Sequence, residues 1–240
     1  MLADIGGVPL VIATARQVSK ARMVGRVIIA TDDGRIEETA RSYGFETAMT
    51  SAEHASGSDR VAEAAKGLPE GSVIVNVQGD EPLISPETID QAVAAMMEGD
   101  ADIVTVSEPI VNFEEALDSS VVKAVVGANG RALYFSRSAV PFIRDASLRH
   151  GGTLADALMR EPELLRHFRK HVGLYVYTRE YLIKFTSLAR SPLEQLEMLE
   201  QLRALENGAR IRVVESRGRS IGVDTEKDLA RVREILTRDH

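Results

Sequence analysis

The sequence predicts an α/β fold, a mostly parallel sheet with helices on both faces. Two observations carry this expectation. Short runs of β-branched residues alternate with helical segments through the first half of the chain, and polar clusters fall at the carboxyl ends of those runs. GVPLVIATARQVSKAR has helical spacing, with Leu10, Ala13, Val18 and Ala21 near one face. RVIIATDD is a short buried strand, GRIEETARSYG a helix closed by Gly44, FETAMT a strand, SDRVAEAAKG a helix and SVIVNV a strand. SPETIDQAVAAMMEG begins with Ser85 as N-cap and Pro86 at the first helical position, and ADIVTVS is the next strand.

The middle of the chain changes character. VVKAVVGANGRALYFSR spells two strands joined by Ala-Asn-Gly, a favoured turn, and HVGLYVYT is a further strand. Positions 121–190 are expected to include a smaller antiparallel lobe. Within it, the polar, weakly periodic stretch 145–170 is read as a mobile flap. SPLEQLEMLEQLRALENG is the clearest helix, with a capping box at Ser191 and Glu194, Pro192 at its first position and Gly208 at its end. An amphipathic helix capped by Thr225 closes the sequence. No repeat or linker divides the chain, so residues 1–240 are expected to form a single α/β domain.

The bulk numbers narrow the function. At 240 residues the chain holds one sizeable core, and 44% hydrophobic with 27% charged residues is ordinary for a soluble globule. A net charge of -7 argues against a nucleic-acid partner but not against a phosphate ligand, since one arginine or Mg²⁺ overrides a global sign locally. The absence of cysteine removes disulfides, thiolate metal sites and thiol nucleophiles. No apolar run approaches the roughly 20 residues that cross a bilayer. PLVIATA follows Asp4 and lacks a basic flank, so it is read as a core helix and not as a secretion leader.

VNVQGDEPLI raises the sharper question of why a buried strand delivers Asp80 and Glu81 at its carboxyl end. In open α/β sheets, ligands collect beyond these ends. Gly79 permits a tight turn there, and Pro82 ends the pairing. Asp224 follows Ile221-Gly222-Val223 in a similar strand-to-helix context. Two carboxylates brought together repel unless a cation lies between them, and Mg²⁺ typically uses one or two carboxylates plus substrate phosphates. Asp80 and Asp224 therefore suggest a magnesium–phosphate site. Each also fits a plainer role, Asp80 as a turn residue and Asp224 as the start of the last helix.

VNVQGDEPLI, SGSDR, ALYFSR, HVGLYVYT, SPLEQLEMLEQLR and GVDTEKDL together resemble the 3-deoxy-manno-octulosonate cytidylyltransferases, the CMP-Kdo synthetases. The motifs follow that family's order and spacing from Leu2 to about Ile235. The resemblance implies a nucleotide-diphospho-sugar transferase-like sheet with a sugar-binding and dimerising lobe, and a cytoplasmic homodimer. It implies CTP and the acidic sugar Kdo as substrates, Mg²⁺ as cofactor, pyrophosphate as by-product and a place in lipopolysaccharide biosynthesis. Asp80 and Asp224 match the metal-binding aspartates, and Arg137 matches the arginine that takes the sugar carboxylate. Gln78, His171, Tyr175, Glu200 and Gln201 match sugar-side residues; Ser56, Gly57 and Arg60 match the nucleotide-side loop. Without the resemblance, His171 and Tyr175 read equally as core residues, Glu200 as a solvated helix acid beside Glu194 and Glu197, and Arg60 as a partner of Glu63.

Family members also carry an upstream hydrophobic strand and a basic, glycine-bearing phosphate loop ahead of the position where this numbering starts. The expectation is that strands flanking that place keep unpaired backbone groups and that activity of the sequence as written is weak or absent. Two other functions remain open at this point: a cytidylyltransferase for another acidic sugar such as a sialic acid, and a catalytically silent binding or dimerisation module.

Overall fold

The β-branched runs form strands because such side chains fit a pleated, half-buried surface. The structure, a computed structural model, describes residues 1–218, 220–223 and 225–238. Helices and strands alternate at first: α1 (Leu10–Val18), β1 (Ile28–Thr31), α2 (Gly34–Ser42), β2 (Glu46–Met49), α3 (Gly57–Ala65), β3 (Val73–Val77) and α4 (Pro86–Met97). Next come β4 (Ile103–Pro109), α5 (Phe113–Leu117), β5 (Lys123–Val126), β6 (Ala132–Ser136), α6 (Arg144–Arg149), α7 (Leu154–Arg160) and a 3-10 turn (Pro162–His167). The chain ends with β7 (Arg169–Thr178), α8 (Arg179–Ser187), α9 (Pro192–Glu197), α10 (Gln201–Glu206), β8 (Ile211–Glu215) and α11 (Glu226–Arg238).

The caps are those the sequence signals. The Ser85 hydroxyl accepts from the Thr88 amide with Pro86 at the first position. Ser191 and Glu194 close a reciprocal capping box, and Thr225 and Asp228 exchange bonds at the head of α11. Gly44 and Gly208 end their helices at φ +82° and +77°.

The chain divides into two compact units. One comprises 1–98, 173–187 and 216–240, the other 99–172 and 188–215. One of the crossings between them, at 172–173, lies within β7. In the first unit β1 and β2 pair in parallel, and β3 runs antiparallel to the second half of β7, Asn76 opposite Tyr175. Val11, Ile12, Ala15, Ile29 and Ala40 form one core there; Ile5 and Leu10 meet Leu229 and Val232 in another. In the second unit the strand order is β6-β5-β7-β4-β8. The β4–β8 pair is parallel, and β5 is antiparallel to β6 and β7. Pairing is thus mixed, with the antiparallel pairs gathered around β7 and the hairpin.

Two segments differ from the sequence expectation. The stretch 145–170 forms α6, α7 and a 3-10 turn, regular structure that the sequence did not signal, and part of its sparse apolar content is buried. Leu154, Leu158, Leu165 and Phe168 join Ile110 and Ala116 in a buried cluster. The helices are too short to show their period against a polar background. Second, the helix read across 191–208 is broken at Met198, which is left-handed at φ 53°. Leu193, Leu196, Leu199 and Leu202 recur every third residue. At about 100° per residue such a stripe turns steadily around a straight helix and cannot face one core. The break turns Leu199 and Leu202 inward, 6% and 1% exposed, and leaves Leu196 outside at 81%.

Leu158 is 1% exposed, so Leu158→Ala is expected to cost about 2–5 kcal/mol of unfolding free energy in urea titrations. A change below about 0.5 kcal/mol would show the segment to be a loosely held flap after all.

Candidate active site

The first unit contains a cavity of about 700 Å³. Its walls include β1 and β3 and the Val11, Thr14 and Val18 side of α1. Among the described residues β1 pairs only with β2, and β3 only with β7. Among the described residues each of these two strands therefore has one edge outside a ladder.

Polar groups gather at the strand ends, and the head of α3 links them. Gly57 lies against the Gln78 carboxamide, 3.5 Å from the place a Cβ would occupy. One turn on, Arg60 pairs with Asp32 beyond β1 at 3.0 Å and donates to the Thr50 hydroxyl at 2.6 Å. Its partner is thus Asp32 and not Glu63, whose carboxylate instead meets His54 and the Ser51 amide. Ser56 caps α3, accepting from the Asp59 amide at 3.2 Å. Gln78, Gly57, Arg60 and Asp80 all line the cavity.

Asp80 follows β3 in a turn closed by the Glu81 amide on the Gln78 carbonyl, 3.2 Å. The turn needs no left-handed φ at Gly79, whose carbonyl takes the Thr14 hydroxyl at 2.9 Å. Asp224 lies outside the described residues. The segment leading to it is fixed to the Asp80 turn: the Val223 amide donates to the Asp80 carbonyl at 2.9 Å, Ser220 donates to the Glu81 carboxylate, and Gly222 abuts Glu81. Among the described residues no three acids or histidines gather as a self-sufficient metal centre. One strand-end carboxylate beside an open cavity suits a cation that takes its other ligands from phosphates and water.

In the second unit Arg137 follows β6 and is held from three sides. Its amide donates to the Glu197 carboxylate at 2.9 Å, its Nε to the Glu197 carbonyl at 2.7 Å and its Nη1 to the Ser119 carbonyl at 3.2 Å. The same carboxylate takes the Ser136 hydroxyl at 2.6 Å. The Glu197 carbonyl is available because the helix breaks one residue later. No carboxylate neutralises the guanidinium among the described residues, and Nη2 has no protein acceptor there. Sequence reasoning treated Glu197 as a solvated acid and overlooked Asp32 and Lys123. The signal for Lys123 was present as a lone cation in the β-run VVKAVV.

His171 and Tyr175 lie four apart on β7. His171 Nε2 meets the Thr105 hydroxyl at 2.9 Å, and its ring meets Phe135 edge-on. Burial pulls its pKa down to about 4, so the imidazole is neutral at physiological pH. Tyr175 is buried and stacks on Tyr177 with ring centres 6.0 Å apart. Glu200 opens α10 half-buried, not solvated. Gln201 is 3% exposed, and its Nε2 is a buried donor with no acceptor among the described residues.

A family profile described as cytidylyltransferase matches residues 1–211, so this α/β architecture with its strand-end acid is that of a nucleotidyltransferase. The 3-deoxy-manno-octulosonate cytidylyltransferase of Geobacter sulfurreducens is 47% identical over 98% of this chain and 92% of its own length. That of Geobacter metallireducens is 48% identical over 99% and 91%. The chain belongs to the 3-deoxy-manno-octulosonate cytidylyltransferase family. A solved CMP:2-keto-3-deoxy-manno-octonic acid synthetase complexed with CTP superposes with a TM-score of 0.87 at 34% identity, covering 100% of this chain and 92% of that one.

The depressed His171 pKa makes a pH prediction. Between about 6.5 and about 4 the unfolded chain binds the proton that the folded site refuses. This group leaves stability untouched above that window, lowers it progressively as pH falls through it, and adds no further loss below it. Urea midpoints of His171→Gln are expected to fall less steeply than wild type from pH 7 to pH 4.5. Parallel curves would remove His171 as the cause.

Proposed function

We propose that the chain transfers the cytidylyl group of CTP to 3-deoxy-manno-octulosonate. The observation that carries this reading is the Arg137 guanidinium. It is fixed by two neutral carbonyls and keeps its Nη2 edge for an incoming carboxylate. A planar fork of this kind binds an acidic sugar through two parallel hydrogen bonds, which the point charge of lysine does not reproduce. Gln201 brings an unsatisfied buried donor of the sort that selects a hydroxyl, because leaving it unpaired costs affinity. By family likeness we also assign Gln78, His171, Tyr175 and Glu200 to the sugar, His171 acting as a neutral donor or acceptor.

On the nucleotide side Ser56, Gly57 and Arg60 receive the base and phosphates. Ser56 sets the helix that carries the other two, and Asp32 orients the Arg60 guanidinium. Asp80 and, by family likeness, Asp224 would hold Mg²⁺, and the ion would supply neutralisation of phosphate charge. The sugar hydroxyl oxygen bonds to the α-phosphorus as the bond to the bridging oxygen breaks. Pyrophosphate leaves with that electron pair, and the hydroxyl proton passes to solvent. The protein's part is to align these two oxygens and to set cationic groups such as Arg60 near the phosphates where negative charge collects.

A cytoplasmic homodimer accompanies this reading. Leu133, Phe142, Leu148 and Met159 of the second unit are 58–64% exposed and suit burial against a second copy. Among the described residues no helix is long and apolar enough to cross a membrane.

Pyrophosphate release from CTP and 3-deoxy-manno-octulosonate, with a sialic acid as the competing sugar, tests the assignment. Asp80→Asn is expected to lower kcat at least about a hundredfold. Arg137→Lys is expected to raise the KM for the sugar about tenfold while kcat changes little. Equal rates with both sugars, or a wild-type rate in Asp80→Asn, would overturn it. Sedimentation at micromolar concentration is expected to give a dimer, and a monomer would refute that element.

A further inference from the structure

Lys123 is a cation with no exposed surface, set in a strand of β-formers. Burying an ammonium is expensive unless every proton finds an acceptor. Here each does: Nζ donates to the carbonyls of Asp118 at 2.7 Å, Val121 at 2.6 Å and Arg137 at 2.7 Å. Methionine or leucine in its place would spare the desolvation cost, so stability alone is a poor reason for a lysine at this point.

The three acceptors show what the lysine organises. Asp118 and Val121 bracket Ser119, whose carbonyl receives Arg137 Nη1. The third carbonyl belongs to Arg137 itself. One buried charge thus fixes the backbone at both ends of the arginine's support. Glu197 supplies the rest, gripping the Arg137 amide with its carboxylate and Nε with its carbonyl.

We propose that Lys123 and Glu197 are positioning residues for the Arg137 guanidinium, setting the direction in which its open edge meets the substrate carboxylate. This rests on Arg137 being the carboxylate-binding group proposed above. Lys123, with no exposed surface, acts through the arginine and not on a ligand directly. A long side chain anchored by only two carbonyls would otherwise sample several rotamers, and fixing it in advance removes that cost from sugar binding.

Two measurements on the full chain test this. In ¹⁵N spectra the Arg137 Nε–H resonance, assigned by its loss in Arg137→Ala, is expected to be shifted and slowly exchanging. In Lys123→Met it is expected to merge with those of solvated arginines while the backbone spectrum outside 118–138 stays in place. In steady-state assays Lys123→Met is expected to raise the sugar KM about tenfold and leave the CTP KM within about twofold. Combined with Arg137→Ala it is expected to add nothing further. Glu197→Gln, which keeps the side chain's size, is expected to raise the sugar KM about threefold and gives the same cycle should Lys123→Met fail to fold. An unmoved Nε–H signal, equal rises in both KM values, or multiplicative losses in the double variant would overturn the proposal. If Arg137→Ala itself leaves the sugar KM unchanged, the carboxylate reading fails. If Arg137→Ala raises it but neither Lys123→Met nor Glu197→Gln does, only the positioning role fails.

Discussion

The polar bonding of the second unit converges on one guanidinium, which is held still without being neutralised among the described residues. An arginine paired to a carboxylate would be well anchored and useless to an anionic ligand. Arg137 is anchored by carbonyl oxygens instead, while the nearby Glu197 carboxylate is spent on the Arg137 amide and the Ser136 hydroxyl. That division of labour requires a helix carbonyl free of its own ladder. The left-handed turn at Met198 provides it, at a strain of about 1 kcal/mol for a residue with a Cβ. The broken helix and the buried lysine read as parts of the same support.

The first unit meets a different demand, the gathering of polar groups from separate strands at one cavity. It does so through the head of α3, which touches Gln78 through Gly57 and Asp32 through Arg60. The Asp80 turn is tied in turn to residues 220–223 by backbone and side-chain bonds.

The sequence made the order of elements and most helix caps legible, because Ser85, Ser191, Glu194 and Thr225 act through neighbours three or four residues away. Local chemistry of that kind is written in local sequence. Strand partners were not, since pairing direction around β7 depends on residues far along the chain. The helix break was hidden because Met198 is neither glycine nor proline; only the three-residue leucine spacing betrayed it. Of the site, Asp80 and Arg137 stood out by position and by family likeness. Their supports did not: Asp32 and Lys123 drew no separate reading, and Glu197 read as a solvated acid. Residues that act by orienting others have no motif of their own, and only coordinates reveal whom they hold.

The depth of Lys123 has a practical side. Acylating reagents modify amines that water can reach, and this one is sealed behind three peptide oxygens. Its labelling would report the fraction of molecules that have opened their second unit, making an endogenous clock for local breathing in a chain with no cysteine to tag.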